Sequence, residues 1–98
     1  MYIIKRTPEF DDWLNNLRDQ TTKIRLLRRL EKAQRCLLGD VNSVGDGVCE
    51  MREFFGPGWR MYYVQRGESM IIMLFGGEKS TQSKDIASAK NIALTIEE

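Results

Sequence analysis

An α+β fold is what this 98-residue sequence predicts: an N-terminal strand, a helical hairpin packed on a mostly antiparallel sheet of about four strands, and a C-terminal helix. Three observations carry that expectation. Two stretches with helical spacing of apolar residues lie between an apolar start and residue 38, and three short runs with strand character follow between 48 and 75. Glycine-rich turns separate those runs, and a third helical stretch closes the chain. A chain of this length makes one domain, residues 1–98, because it is too short to build two independent cores.

Residues 1–6 read as a strand with Ile3 and Ile4 as its apolar part. Thr7 can cap a helix, Pro8 suits its first position, and Glu9, Asp11 and Asp12 favour its positive end. Phe10, Trp13, Leu14 and Leu17 then form one buried stripe. A break at Asp19-Gln20-Thr21 leads to a second helix from about Thr22 to Leu38, ended by Gly39, with Ile24, Leu27, Leu30, Ala33 and Leu37 on its core face. The short connection predicts an antiparallel pair of helices. Gly39 to Gly47 reads as a loop. Strands are expected at about Val48–Phe54, Trp59–Gln65 and Ser69–Phe75, with Gly56-Pro57-Gly58 and Arg66-Gly67-Glu68 as the turns. Gln82 to Glu97 is the terminal helix, with Ile86, Ala89, Ala93 and Ile96 facing inward.

The hydrophobic fraction of 42% and charged fraction of 30% are those of a globular protein. No apolar run is long enough to span a bilayer, and Met1 to Arg6 has no signal-peptide core, so a cytoplasmic protein without a membrane partner is expected. Cys36 and Cys49 have no zinc-site spacing and read as unbridged core thiols. With no histidine, Ser-His-Asp and Cys-His catalytic sets are impossible, and neither a metal nor a cofactor is implied.

The net charge of +1 conceals an uneven distribution. Arg18 to Arg35 holds seven basic residues against two acidic ones, leaving the rest of the chain net negative. Arg25, Arg28, Lys32 and Arg35 line one side of the second helix, with Arg29 beside them. Such a stripe suits a polyanion, whose neutralised phosphates release counterions, or an acidic protein. Strand alternation places Cys49, Met51, Trp59, Met61 and Tyr63 on the face that the helical pair covers, and Glu50, Arg52, Arg60 and Tyr62 on the other. The polar set reads either as cross-strand pairing, with Glu50 holding an arginine, or as a ligand site. Lys79 follows Gly76-Gly77 and precedes Ser80-Thr81-Gln82, where free helix N–H groups attract anions. The alternative for this segment is an ordinary turn with a solvated lysine, and it is too short for a Walker-type loop.

Taken in order, these residues resemble the RelE/ParE superfamily of bacterial type II toxins, specifically the addiction module killer protein group related to HigB toxins. The likeness rests on Gly45-Asp46-Gly47-Val48, Glu50-Met51-Arg52, Phe55-Gly56-Pro57-Gly58-Trp59-Arg60-Met61-Tyr62, Gly76-Gly77-Glu78-Lys79-Ser80-Thr81-Gln82, Lys84-Asp85-Ile86 and Ala89-Lys90. The resemblance implies a RelE-like fold and, for the RelE-like branch, an mRNA interferase: a metal-independent endoribonuclease that cuts messenger RNA on the ribosome and inhibits translation. By position, Arg60 matches the strand arginine at the scissile phosphate and Lys79 falls near the second basic residue, with Arg52 and Tyr62 positioning the message. The basic helix (Arg25, Arg28, Arg29, Lys32, Arg35), with Thr81 and Gln82, would bind RNA. The implied partners are the ribosome, its mRNA and a small helix-turn-helix antitoxin, with operator DNA reached only through the antitoxin complex. Two departures stand out. Val48 and Glu50 occupy positions where well-known members have lysines, and the last helix lacks a tyrosine. The ParE branch shares the fold and poisons DNA gyrase without cutting RNA, and a third possibility is an inactive module that serves only in the antitoxin–operator complex.

Overall fold

A computed structural model describes residues 1–96. Five strands form one sheet: β1 (Ile3–Arg6), β2 (Val41–Gly45), β3 (Val48–Arg52), β4 (Trp59–Arg66) and β5 (Met70–Glu78), in spatial order β1-β5-β4-β3-β2. Only the β1–β5 pair is parallel, so the sheet is mixed but mostly antiparallel. Helices α1 (Pro8–Asn15) and α2 (Gln20–Gln34) cover one face and α3 (Gln82–Leu94) covers the other. The compact α+β class is as expected, with five strands in place of four. Expected helical residue Glu97 lies outside the described residues. Among the described residues, no helix is long and apolar enough to cross a membrane.

The extra strand comes from the segment read as a loop. Asp46 and Gly47 have φ of 56° and 78°, the doubly positive pair that a two-residue type I′ hairpin needs, and Gly45 pairs with Val48 across it. That turn folds Val41–Gly45 back onto β3. Aspartate-glycine was therefore a hairpin signal. β3 also ends earlier than expected, at Arg52, so Phe54 belongs to the loop before β4.

Helix α1 starts as its sequence dictates. The Thr7 hydroxyl accepts the Phe10 N–H at 3.1 Å and donates to the Leu74 carbonyl at 2.9 Å, tying the helix start to β5. Phe10 and Leu14 are buried, with Trp13 and Leu17 packed beside them. In α2 the core face is Thr22, Leu26, Leu30 and Ala33, so the apolar stripe is rotated from the expected one. Ile24 and Leu37 are exposed, while Leu27 is half-buried. Thr22 can enter the interior because its hydroxyl donates to Asp19 at 2.9 Å, which removes the penalty for an unpaired polar group. α2 ends at Gln34, before Gly39. Cys36, at φ 67°, donates its N–H to the Ala33 carbonyl and Leu37 donates to that of Lys32, a Schellman cap formed without glycine. Cys36 is consequently exposed rather than a core thiol, and Cys49 is half-buried.

The alternation of β3 and β4 sorts as expected on the α1–α2 side, where Met51, Met61 and Tyr63 are buried and Cys49 and Trp59 pack against them. On the other side α3 buries Tyr62 together with Val48, Val64, Ile72 and Leu74, using Ile86, Ala89, Ile92, Ala93 and Ile96. β5 runs through Gly76 and Gly77 to Glu78, so the glycine pair lies inside a strand rather than after it. A Cβ on Gly76 would overlap the Trp13 ring from α1, and one on Gly77 would overlap the Asp85 carboxylate from α3. The pair is a packing requirement on both faces.

Replacing Gly76 by Ala should therefore cost about 1–3 kcal/mol through overpacking. Urea denaturation of Gly76→Ala, Trp13→Leu and the double variant should show positive coupling, because the smaller side chain gives the new methyl room. Additive losses would refute the contact.

Candidate functional site

The site begins with a like-charge pair. Arg52 and Arg60 face each other directly across the β3–β4 ladder, and Glu50 faces Tyr62. Like charges in that position repel, so each arginine needs compensation. Arg52 ion-pairs with Asp40 at 2.8 Å, which lowers the Asp40 pKa and raises that of Arg52 through their shared hydrogen bond. Arg60 is only 4% exposed. Its Nη1 donates to the carbonyls of Trp59 at 3.0 Å and Glu53 at 3.3 Å. The Phe54 ring lies 5.6 Å from its guanidinium carbon.

Four buried donors on β3 and β4 have no acceptor among the described residues: Arg52 Nε, Trp59 Nε1, Arg60 Nε and the Tyr62 hydroxyl. Burial, then the negative charges of Glu50 and Asp85, push the Tyr62 pKa well above the usual phenol range, so its proton stays in place. Tyr62 is thus a hydrogen-bond donor and not a base. On the other face, burial and then Cys49 push the Tyr63 pKa up to about 12.

Lys79 opens a short 3₁₀ turn, Lys79–Thr81, just beyond β5. Its backbone N–H donates to the Gly58 carbonyl at 2.8 Å. Gly58, at φ 81°, is where the Lys79 and Arg60 side chains approach each other: an added Cβ there would lie 3.2 Å from Lys79 Cβ, 3.9 Å from its Cδ and 3.7 Å from Arg60 Nη1. Residues distant in sequence therefore converge on one glycine.

Glu50 does not hold an arginine, contrary to the pairing considered from sequence. It is 1% exposed and accepts both hydrogen bonds from the Gln82 amide, at 2.9 and 3.2 Å. Gln82 is therefore a clamp between α3 and β3. Thr81 donates to Asp85 at 2.5 Å rather than presenting a free hydroxyl. Glu50 and Tyr62 thus lie beneath α3, not on an open face.

The basic stripe divides into an anchor and free cations. Arg29 donates to the carbonyls of Leu38, Asp40 and Arg52, at 2.8–3.1 Å, and ion-pairs with the Glu53 carboxylate. It fastens the end of β3 to the chain after α2. Arg25, Arg28, Lys32 and Arg35 are exposed. Arg25, Arg28 and Lys32 join Arg29 and Glu53 around a cavity of about 230 Å³, and Arg25 stacks 3.6 Å above the Phe55 ring. Arg35 caps α2 and does not line that cavity. A larger cavity of about 510 Å³ lies away from these cations, between residues such as Thr7, Met70, Ile72 and Ile96.

Sequence reasoning missed Glu53 and Asp40, which pair with Arg29 and Arg52, and Asp85, which accepts from Thr81. The signal for Glu53 and Asp40 was weak, since each is an isolated acid whose partner is remote in sequence. Phe54 was legible as an apolar residue but was assigned to a strand.

Arg29→Lys should destabilise the protein by about 2–4 kcal/mol in chemical denaturation, because an ammonium cannot serve three carbonyls and a carboxylate together. An unchanged midpoint would show that the clasp is unimportant. The tyrosines set a second expectation. Their phenols keep protons in the folded chain that the unfolded chain loses above pH ~10, so stability falls as pH rises beyond that point, by about 1.4 kcal/mol per pH unit for each group. Tyr62→Phe should remove one such increment from the slope between pH 10 and 11.5, measured by urea midpoints.

No protein-family model matches the chain, and no solved structure matches it. An uncharacterized protein of Haemophilus influenzae (strain ATCC 51907 / DSM 11121 / KW20 / Rd) is 41% identical over 90 residues, a match covering 92% of this chain and 91% of the Haemophilus one. Identity of that extent over nearly the whole length of both means that the chain belongs to one family with that Haemophilus protein.

Proposed function

We propose that this protein is the toxin of a type II toxin–antitoxin system, a RelE-like, ribosome-dependent mRNA endoribonuclease of the cytoplasm. The observation that carries the reading is the convergence of Arg60 and Lys79 on Gly58, beside buried donors that lack acceptors. A phosphodiester supplies the acceptors and the negative charge such a constellation lacks. In the reaction, the RNA 2′-oxygen attacks its own 3′-phosphorus and the bond to the 5′-oxygen of the next nucleotide breaks, leaving a 2′,3′-cyclic phosphate. The 2′-hydroxyl proton travels by way of a non-bridging phosphate oxygen to the departing 5′-oxygen. Arg60 and Lys79 stabilise the charge that builds on the non-bridging oxygens, while Tyr62, fully buried beneath α3, supports the strand that carries Arg60. Arg52 holds the facing strand, and the exposed cations of α2 grip ribosomal RNA. A helix-turn-helix antitoxin restrains the activity and carries the complex to operator DNA.

One observation favours a second reading. Arg60 is almost fully buried and tied to two backbone carbonyls, as a structural arginine would be. The protein would then block a target such as DNA gyrase by binding, as the ParE branch does.

Primer extension on messages after brief induction separates the two. Cleavage at codon-spaced positions should appear with the wild-type chain and fall about 10²–10³-fold in Arg60→Gln and Lys79→Ala, the loss expected when one preorganised contact to a developing oxyanion is removed. Circular dichroism should show both variants folded. Intact messages accompanied by double-strand DNA breaks would sink the nuclease reading and support the second.

A further inference from the structure

We propose that Phe54 is a stacking platform for the nucleobase adjoining the phosphate held at Arg60 and Lys79. The proposal rests on the RNA reading above and adds a residue that positions the message. Phe54 is 73% exposed, whereas every other aromatic side chain in the chain is buried or half-buried. Its neighbour shows that the loop had an apolar alternative. Phe55 packs against the core beneath Arg25, while Phe54 is turned outward.

The loop that presents Phe54 is held at both ends. Glu53 donates its N–H to the Trp59 carbonyl at 2.9 Å and gives its carboxylate to Arg29. Gly58 donates to the Phe55 carbonyl at 3.1 Å, closing a turn whose first central residue, Gly56, has φ 57°. Positive φ at that position is what a type II′ turn requires. An exposed ring on a fixed backbone loses little freedom when a flat partner lands on it.

The company around the ring identifies the partner. The Arg60 guanidinium lies over one face of the ring, 5.6 Å from its centre, so a base would stack on the opposite face. The Lys79 side-chain stem borders Gly58 together with Arg60 Nη1, and Arg25 covers the adjoining Phe55. An aromatic face set among cations suits single-stranded nucleic acid, where each base has a π-face and each linkage a charge. A protein-binding anchor would instead sit in a patch from which contacts exclude water.

The test uses 70S ribosomes programmed with a short message carrying 2-aminopurine in the A-site codon, with 2′-O-methyl riboses there to block cleavage. Wild-type protein should change the 2-aminopurine fluorescence on binding. Phe54→Ala should lose that change and bind about tenfold to a hundredfold more weakly, the range for loss of one base–aromatic stack. Phe54→Trp should keep both, and all three should melt at the same temperature. Arg60→Gln should weaken binding yet retain the fluorescence change at saturation. Full affinity and full signal in Phe54→Ala, with weakened binding in Arg60→Gln, would overturn the stacking role and leave the RNA reading standing. Failure of the wild-type protein to bind programmed ribosomes would overturn both, and a protein partner for Phe54 would then be the remaining explanation.

Discussion

Two adjacent residues without side chains decide how this molecule is assembled. Gly76 and Gly77 lie within β5, which is flanked in the sheet by β1 and β4. Because neither carries a Cβ, Trp13 from α1 can press onto the strand from one side and Asp85 from α3 from the other. Close approach on one face sets the Trp13 ring against Phe10 and, at 6.2 Å between centroids, against Trp59 at the start of β4. Close approach on the other face places the beginning of α3 where Gln82 reaches Glu50 across the sheet. Lys79, at the exit of the same strand, is thereby delivered to Gly58. A larger residue at either glycine would separate layers whose contact is also what gathers the cations.

The second organising element is the sorting of positive charge into different tasks. Arg29 has its fork buried among carbonyls and an acid, a use suited to a planar guanidinium with several fixed donors. Gly39, at φ 70°, has its absent Cβ within 3.1 Å of the Arg29 guanidinium, so the chain wraps closely around that side chain. Arg25, Arg28 and Lys32 are left facing water around a shared cavity. Their mutual repulsion is screened but not cancelled, since Glu53 is the acid that lines the cavity with them and it is paired to Arg29. One helix thus contributes both a structural clasp and an exposed basic surface, and sequence position alone does not tell the two apart.

What could be read from the sequence was local, and what could not was set by remote partners. Thr7 and Pro8 open α1 as their chemistry requires, and the alternation of Cys49, Met51, Met61 and Tyr63 orients β3 and β4 correctly toward the α1–α2 side. The apolar periodicity of α2 points to a different face from the buried one, because Thr22 is polar yet internally satisfied by Asp19, whereas apolar Ile24 and Leu37 stay exposed. β2 was overlooked because its residues carry little hydrophobic signal, and the turn geometry at Asp46-Gly47 alone creates the strand. The glycine pair suggests a ligand's approach from sequence, but what it admits is the approach of two helices. In the candidate site, Arg60 and Lys79 could be named from the sequence. The burial of Glu50 and Tyr62 could not, because it depends on which face α3 selects.

Burial changes what the site can do. The Arg60 Nε–H and the Tyr62 hydroxyl, enclosed without acceptors, cost the fold free energy, about 1–3 kcal/mol for each unsatisfied group. The packed layers around β5 hold them in place despite that cost. In the proposed reaction, a guanidinium fixed in this way needs no reorganisation to meet a phosphate, whereas a mobile surface lysine must first surrender its freedom. The same enclosure keeps Tyr62 protonated and lets Glu50 remain clamped by Gln82 instead of neutralising Arg60. An acid free to swing onto Arg60 would compete with any incoming phosphate. Locking Glu50 beneath α3 therefore preserves the positive character of Arg60, whose guanidinium is held by the Trp59 and Glu53 carbonyls and not by that carboxylate.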